Sequence, residues 1–154
     1  PQDWSAAGTW DGIAGDLNPD GFLPLKLAKL EFDGQDIKDS ELTVPSPLYS
    51  KYTEIRKWLW QHNIHNISRG AFFKLPPLGS KGRHIDEGNY YLTRDRYHLS
   101  LQGSYRYEVD GEEHIIEPGT FFWFDNKKPH SAVVVSNEDR ITFVFDVPHS
   151  PTNP

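Results

Sequence analysis

The stretch YRYEVDGEEHIIEPGTFFWF, residues 105–124, decides the fold. From Tyr105 to Val109 large apolar side chains alternate with polar ones, the period of two that belongs to a strand with one buried face. Asp110-Gly111 interrupts the run, and His114 to Ile116 resumes it. A tight hairpin turn needs positive φ at its centre, and Asp-Gly meets that need better than most pairs. Glu117-Pro118-Gly119 makes a second turn before Phe121 to Phe124 opens a third run. Short strands with a turn at every joint are the rhythm of a β sandwich or barrel.

The same rhythm extends outward. Upstream, Ala71 to Leu75 stops at Pro76-Pro77, Tyr90 to Thr93 reads as strand-like, and Tyr97 to Leu101 ends at Gly103. Downstream, Ser131 to Val135 and Ile141 to Asp146 bring the count to about eight strands, which suits a jelly roll. Leu23, Leu25 and Leu27 alternate with other residues and predict one more strand, ahead of the polar run from Asp33 to Ser40. A helix is predicted from Ser46, a capping residue, and Pro47, which suits the first helical position. Leu48, Tyr52, Ile55 and Leu59 then share one face, and the helix ends near Asn63. The expected class is a mainly β, cupin-like jelly-roll barrel with one or two N-terminal helices, in a single domain over residues 1–154. Residues 1–21, with isolated Trp4 and Trp10, form an irregular arm. Residues 22–68 supply a strand and helix as support, 69–147 the barrel, and 148–154, with three prolines, an extended tail.

Composition narrows the function. Hydrophobic residues are 36% of the chain and aromatics 14%, so rings supply much of the buried area. A net charge of -6 without a basic cluster argues against nucleic acid, whose binding depends on neutralising phosphates. No apolar stretch approaches the roughly 20 residues of a membrane span. Pro1 to Asp20 lack the basic and apolar regions of a leader, so the expected location is cytoplasmic, with no membrane partner. The chain has no Cys, so a metal must be held by His, Asp or Glu.

Those ligands point to His84-Ile85-Asp86 and His130. In extended chain, residues i and i+2 point the same way, so His84 and Asp86 can share one metal. His130 follows Pro129 at the start of a β run, where a residue at the barrel rim can turn inward. Two imidazoles and one carboxylate make the facial triad of non-haem Fe(II) oxygenases, which leaves positions open for other ligands. Arg140 downstream suggests a 2-oxo acid whose far carboxylate needs a cation. Taken singly, His-x-Asp is also an ordinary solvated pair, and Arg140 an ordinary surface charge after a polar turn.

From Leu75 to Val147 the chain resembles the aspartyl/asparaginyl β-hydroxylase family of Fe(II)- and 2-oxoglutarate-dependent oxygenases. The resemblance rests on the Leu75-Pro-Pro-Leu-Gly79 lead-in, His84-x-Asp86, Arg96-Tyr97-His98-Leu99, Glu117-Pro-Gly119, Phe124-Asp125-Asn126, His130, and Asn137-x-x-Arg140 leading to Phe145-Asp146. It implies a double-stranded β-helix with Fe(II) in its mouth, held by His84, Asp86 and His130. It further implies that Arg140 pairs with the distal carboxylate of 2-oxoglutarate, and that Arg96 and His98 lie near the metal-bound end of that cosubstrate. The implied reaction uses O2, yields succinate and CO2, and hydroxylates an amino acid, free or within a peptide or protein.

Other residues carry two readings. Arg94 shares a face with Arg96, and either can be the inward one; the resemblance favours Arg96. His98 on an apolar strand is equally a hydrogen-bonded core histidine. In Phe121-Phe122-Trp123-Phe124, either Phe122 and Phe124 or Phe121 and Trp123 line the barrel. Asp125 and Asn126 either orient His130 and its loop or form a simple turn. His62 and His65 are expected at helix-end carbonyls or in solvent rather than on a metal, and His114 and His149 receive no role. The acidic net charge favours a cationic or zwitterionic substrate. Two other functions fit the same residues: a 2-oxoglutarate-independent metal cupin, in which Arg140 is structural, and a non-catalytic β-sandwich ligand-binding module. Spacing says nothing of oligomeric state.

Overall fold

The computed structural model describes residues 21–28, 31–33, 36–38 and 43–149, with side chains over 21–26 and 43–149. The expected arm over 1–20, with Trp4 and Trp10, and the tail over 150–154 lie outside the described residues.

The strands are β1 (Phe22–Ala28), β2 (Glu31–Asp33), β3 (Asp36–Lys38), β4 (Thr43–Pro45), β5 (Gly70–Leu75), β6 (Ser80–His84), β7 (Arg94–Gln102), β8 (Tyr105–Val109), β9 (Glu112–Ile116), β10 (Phe121–Trp123), β11 (His130–Val134) and β12 (Arg140–Pro148). Helix α1 (Thr53–Gln61) lies between β4 and β5. One sheet has the order β10-β7-β12-β5-β1-β4 and the other β6-β11-β8-β9, while β2 and β3 pair separately. Neighbours within both sheets are antiparallel. From β5 to β12 the chain passes back and forth between the two sheets, with only β8 and β9 consecutive in one of them. A ribbon wound in this way is a double-stranded β-helix, the jelly-roll fold.

Alternation along each strand divides the apolar residues between two layers. On β12, Phe143 and Phe145 face outward and join Leu23, Leu25, Leu48, Leu59, Ile67, Phe72 and Leu99 in the larger core. The turns and helix that carry Leu48, Leu59 and Ile67 are thus packed onto the outer face of the six-stranded sheet, and β1 is part of that sheet. Inside the barrel, Tyr105, Tyr107, Ile116, Phe124 and Ala132 form the second core, with Val109 and Phe122 against it. The aromatic run on β10 therefore resolves to Phe122 and Phe124 inward, leaving Phe121 and Trp123 39% and 52% exposed.

Three local expectations change, and one strand is added. The regular helix starts at Thr53, six residues after Pro47. Ser46 does cap a turn, its Oγ accepting from the Leu48 amide at 3.2 Å and donating to the Pro24 carbonyl at 2.8 Å. That tie to β1 fixes the chain direction, and a run of turns buries Leu48 before α1 can lay Leu59 on the sheet. Residues Asn89–Thr93 form a short 3-10 helix rather than a strand, because that turn drops Tyr90 into the interior. There the Tyr90 hydroxyl donates to Asp146 at 3.0 Å and accepts from the Arg69 amide at 3.0 Å. Strand β6, Ser-Lys-Gly-Arg-His, has too little apolar content to be read from sequence and pairs with β11. Finally, β12 runs through Pro148, one residue into the expected tail.

Candidate active site

The mouth of the barrel is built where β6 ends and β11 begins. His84, the last residue of β6, lies directly opposite His130, the first of β11, and their rings are 4.3 Å apart centre to centre. Asp86 lies just past the strand, its amide bonded to the Asn126 carbonyl at 3.0 Å. The loop carrying Asn126 is in turn tied to the β8–β9 hairpin, where the Asp110 amide reaches the Pro129 carbonyl at 2.8 Å. Asp110 and Gly111 hold φ of 53° and 92°, the positive values that a tight hairpin demands.

One ligand atom from each of His84, Asp86 and His130 falls within 4.8 Å of the other two. The Asp86 Oδ1 lies 3.5 Å from the His84 Nε2 and 3.8 Å from the His130 Nε2. Each imidazole has its Nδ1 on a main-chain carbonyl two residues back, Gly82 at 2.7 Å and Lys128 at 2.8 Å. A carbonyl accepts only, so Nδ1 must be the protonated nitrogen and a neutral ring presents its Nε2 lone pair inward. Burial pushes the His130 pKa down, although the Lys128 carbonyl and Asp86 work against it. With both rings neutral, two bare nitrogens and a carboxylate oxygen converge, an arrangement that a divalent cation satisfies.

Arg140, the first residue of β12, enters the same cavity of about 350 Å³. It is 5% exposed, and the turn at Gly103 packs so closely on its backbone that a Cβ there would sit 3.0 Å from the Arg140 Cα. Its guanidinium lies 4.0 Å above the Tyr105 ring, and its Nε has no hydrogen-bond partner. Among the described residues no carboxylate pairs with it, so the surface-charge reading is replaced by that of a buried, uncompensated cation.

The family model for aspartyl/asparaginyl beta-hydroxylase matches residues 48–150, two thirds of the chain, which takes in α1 and every strand from β5 to β12. The chain belongs to the aspartyl/asparaginyl beta-hydroxylase family. Comparison with curated proteins yields no match. Among solved structures, a predicted oxalate decarboxylase from Thermotoga maritima is 24% identical, covering 58% of this chain and 72% of its own, with a TM-score of 0.46. A cupin protein from Bacteroides fragilis is 13% identical over 56% of this chain and 70% of its own, TM-score 0.46. A cupin 2 conserved barrel domain protein from Salinispora arenicola is 17% identical over 51% and 60%, TM-score 0.42.

In this hydroxylase-family domain the carboxylate of Asp86 is held from behind. Its Oδ2 accepts from Arg96 Nη1 at 2.9 Å and from Asn126 Nδ2 at 3.0 Å, which leaves Oδ1 facing the imidazoles. Arg96 also grips the buried Asp146 with two bonds, at 2.7 and 2.9 Å. Burial disfavours its charge, but Asp146 and Asp86 outweigh that and keep its pKa raised. Between the two inward candidates Arg96 is thus the one at the site, while Arg94 bonds Ser68 and Thr93. Asn126, 1% exposed, serves Asp86 rather than His130, whose orienting group is the Lys128 carbonyl; Asp125 makes the simple turn, accepting from the Lys127 amide. That division follows from reach, since the Asn126 amide and the Asp86 carboxylate sit side by side on paired backbone.

His98 lines the cavity, 6% exposed, with its Nδ1 unpartnered. Burial first, then the charges of Arg140, Arg96 and His130, hold its pKa well below the ordinary imidazole value, so it is neutral. His62 and His65 stand apart from this site: His62 Nδ1 bonds the Trp58 carbonyl at 2.8 Å, and His65 packs edge-on against Trp60. His149, given no role from sequence, bonds the Asp95 carboxylate at 3.0 Å. Sequence reading missed Lys81, which lines the cavity from β6, and the supporting part of Asp146.

Among the described residues no helix is long and apolar enough to cross a membrane.

Proposed function

We propose that this domain is an Fe(II)- and 2-oxoglutarate-dependent hydroxylase of an amino acid, free or within a peptide or protein. What carries the reading is one juxtaposition: a His/Asp/His donor set and a buried cation without a carboxylate share one cavity. Two imidazole nitrogens and one carboxylate oxygen, without thiolate, suit a facial Fe(II) triad of His84, Asp86 and His130. Arg140 suits the far carboxylate of 2-oxoglutarate, which would meet a planar fork of N–H donors with no competing acid.

Bound there, Fe(II) would activate O2 while 2-oxoglutarate is decarboxylated to succinate and CO2, and one substrate C–H bond is hydroxylated. The protein's residues have separable tasks. Arg96 and Asn126 occupy Oδ2 of Asp86, so that carboxylate offers a single oxygen to the metal. His98, neutral and with a free Nδ1, offers the cavity a polar contact that adds no positive charge of its own, and Arg96 borders the same region. Tyr107 and Phe124 wall the cavity with rings that keep bulk water out. In a metal cupin that uses no 2-oxoglutarate, Arg140 would need a structural partner, and only the Tyr105 ring is available among the described residues.

The test is succinate formation by the Fe(II)-loaded chain with 2-oxoglutarate and O2 over a panel of amino acids and short peptides. Substrate-dependent succinate that disappears in His130→Ala is expected. Succinate formed equally by His130→Ala, or no dependence on added 2-oxoglutarate in a variant-sensitive turnover, would defeat the assignment.

A further inference from the structure

We infer that the domain pairs with a second copy of itself through β10, the two strands running antiparallel about a two-fold axis at Phe122. This contact lies on the outer side of the barrel and is independent of the metal and cosubstrate reading.

The six-stranded sheet ends in β10 and β4, and the four-stranded sheet in β6 and β9. An edge strand presents N–H and C=O groups without a neighbour, and folded proteins blunt such edges with charge or proline. Three of the four do so here: β6 carries Lys81 and Arg83, β9 carries Glu112 and Glu113, and β4 ends in Pro45. Strand β10, Phe121-Phe122-Trp123, has neither protection. Its outward rings, Phe121 and Trp123, are 39% and 52% exposed. An uncharged aromatic edge of this kind is a template for another strand.

The main chain of β10 is turned for such pairing. The Ser100 amide donates to the Thr120 carbonyl at 2.9 Å, and the Ser100 carbonyl accepts from the Gly119 amide at 2.8 Å, so both groups of Ser100 point toward the β10 side. Antiparallel pairs alternate between bonded and non-bonded positions, so His98 and Phe122, two residues further along, make the next bonded pair. Phe121 and Trp123 then direct their N–H and C=O groups away from β7, and among the described residues no main-chain group meets them. An axis at Phe122 sets Phe121 against Trp123 of the second copy, and Trp123 against Phe121 of the second copy. Both members of each pair point outward, so each pair exchanges both bonds, with the two rings side by side on one face. An axis one residue to either side keeps only one such pair.

The surroundings favour a second copy over a different partner. Between the outer face of the sheet and residues 62–66 lies a groove of about 410 Å³, floored by Tyr97, Phe121, Phe145 and Val147, and no Lys, Arg, Asp or Glu lines it. A two-fold contact lays the region around the axis against itself, so a patch of one sign would repel its twin, whereas an uncharged patch matches it. A partner selected by charge finds no handle there. At the end of the strand, Asp125 is matched by Lys127 of its own chain at 3.6 Å. Three residues of strand and two rings a side make a contact smaller than the roughly 800 Å² per partner of a standard interface, so the dissociation constant is expected on the order of 10–100 µM. The ring of Phe122 packs 5.1 Å from that of His98, so the strand held by the second copy is also a wall of the catalytic cavity.

The experiment is sedimentation equilibrium of the full chain at neutral pH, from about 1 to 500 µM, a range that brackets that constant. The mean mass should rise from 17.7 kDa toward twice that value. Trp123→Lys sets an ammonium against Phe121 of the second copy and should raise the dissociation constant at least about tenfold, with an unchanged urea midpoint. Val133→Lys, at an exposed apolar position on β11, should leave association as it is. The chain has no Cys, so Phe122→Cys supplies a single thiol that meets its twin across the axis, and mild oxidation with copper phenanthroline should link the dimer. Trp123→Cys, off the axis, should link far less. A chain that stays at 17.7 kDa throughout overturns the inference and leaves β10 to some other partner. A dimer that survives Trp123→Lys, or that Val133→Lys weakens equally, overturns it as well. A Phe122→Cys protein that associates but does not cross-link refutes the axis. None of these readouts needs metal or 2-oxoglutarate, so their failure is separate from failure of the hydroxylase reading.

Discussion

Replacing Arg140 by Met should make the ligand-free protein more stable and at the same time remove its response to 2-oxoglutarate. The guanidinium is 5% exposed and its one close partner among the described residues is the Tyr105 ring at 4.0 Å. A desolvated cation–π contact contributes about 2 kcal/mol, whereas burying an ion costs several kcal/mol even after relaxation. The balance is unfavourable until a carboxylate arrives. Met keeps an unbranched apolar stem over the ring, so Arg140→Met is expected to gain about 1–3 kcal/mol, and each kcal/mol raises Tm by about 2–4 °C in a chain of this size. Saturation of the wild type at a hundred times Kd adds about 2.7 kcal/mol. Losing a buried charged pair weakens binding by at least about 2 kcal/mol, or thirtyfold. At the same 2-oxoglutarate concentration the variant should then gain less than about 1 kcal/mol. Anaerobic urea unfolding of both proteins with bound metal, with and without 2-oxoglutarate, measures all four values. A variant about 2 kcal/mol less stable than wild type without ligand, yet equally stabilised by 2-oxoglutarate, would show that Arg140 is structural and refute the reasoning.

Three further outcomes follow from the groups behind the site. Asn126→Ala removes the 3.0 Å bond to Asp86 Oδ2 and should weaken metal binding by about tenfold, read by competition with a chelator; an unchanged affinity would mean that Arg96 alone orients the carboxylate. Arg96→Lys cannot span both Asp146 oxygens and Asp86, so it should cost about 3–5 kcal/mol in urea unfolding, and a loss near zero would mean that Tyr90 suffices to satisfy Asp146. His98→Gln should flatten the acid side of the stability curve. The folded-state pKa of His98 lies well below its unfolded value, so below the unfolded value of about 6.5 the unfolded chain binds a proton that the folded chain does not. The stability contribution is therefore present above pH 6.5 and is lost on acidification, by up to about 1.4 kcal/mol per pH unit, until the folded pKa is reached. Unfolding curves for wild type and variant with equal slopes between pH 7 and pH 5 would contradict that assignment.

The strands that could be read from sequence are those with one apolar face. Tyr105 to Val109 and Ile141 to Asp146 alternate because the barrel interior and the outer layer, or solvent, take opposite faces. Strand β6 could not be read this way, since all but its last residue are exposed and its bulge breaks the period of two. Tyr90 to Thr93 looked like a strand from its ring content, yet its conformation is set by Asp146, which lies far away in sequence. The same contrast applies to the site. His84, Asp86, His130 and Arg140 were legible because their types and order are unusual, and they do converge on one cavity. Lys81 was not legible, because only the bulge turns it inward. The role of Asn126 also escaped, because sequence shows that a polar residue is near a candidate ligand but not which one it faces.

The central claim is that one cavity holds Fe(II) on His84, Asp86 and His130 with 2-oxoglutarate between that metal and Arg140. Its most direct test is an anaerobic absorption titration of the Fe(II)-loaded chain with 2-oxoglutarate. The account predicts a weak visible band that saturates at one cosubstrate per chain, is absent in His130→Ala, and needs about thirtyfold more 2-oxoglutarate in Arg140→Met. Stoichiometric iron bound through His130, with no band at any 2-oxoglutarate concentration, would contradict it.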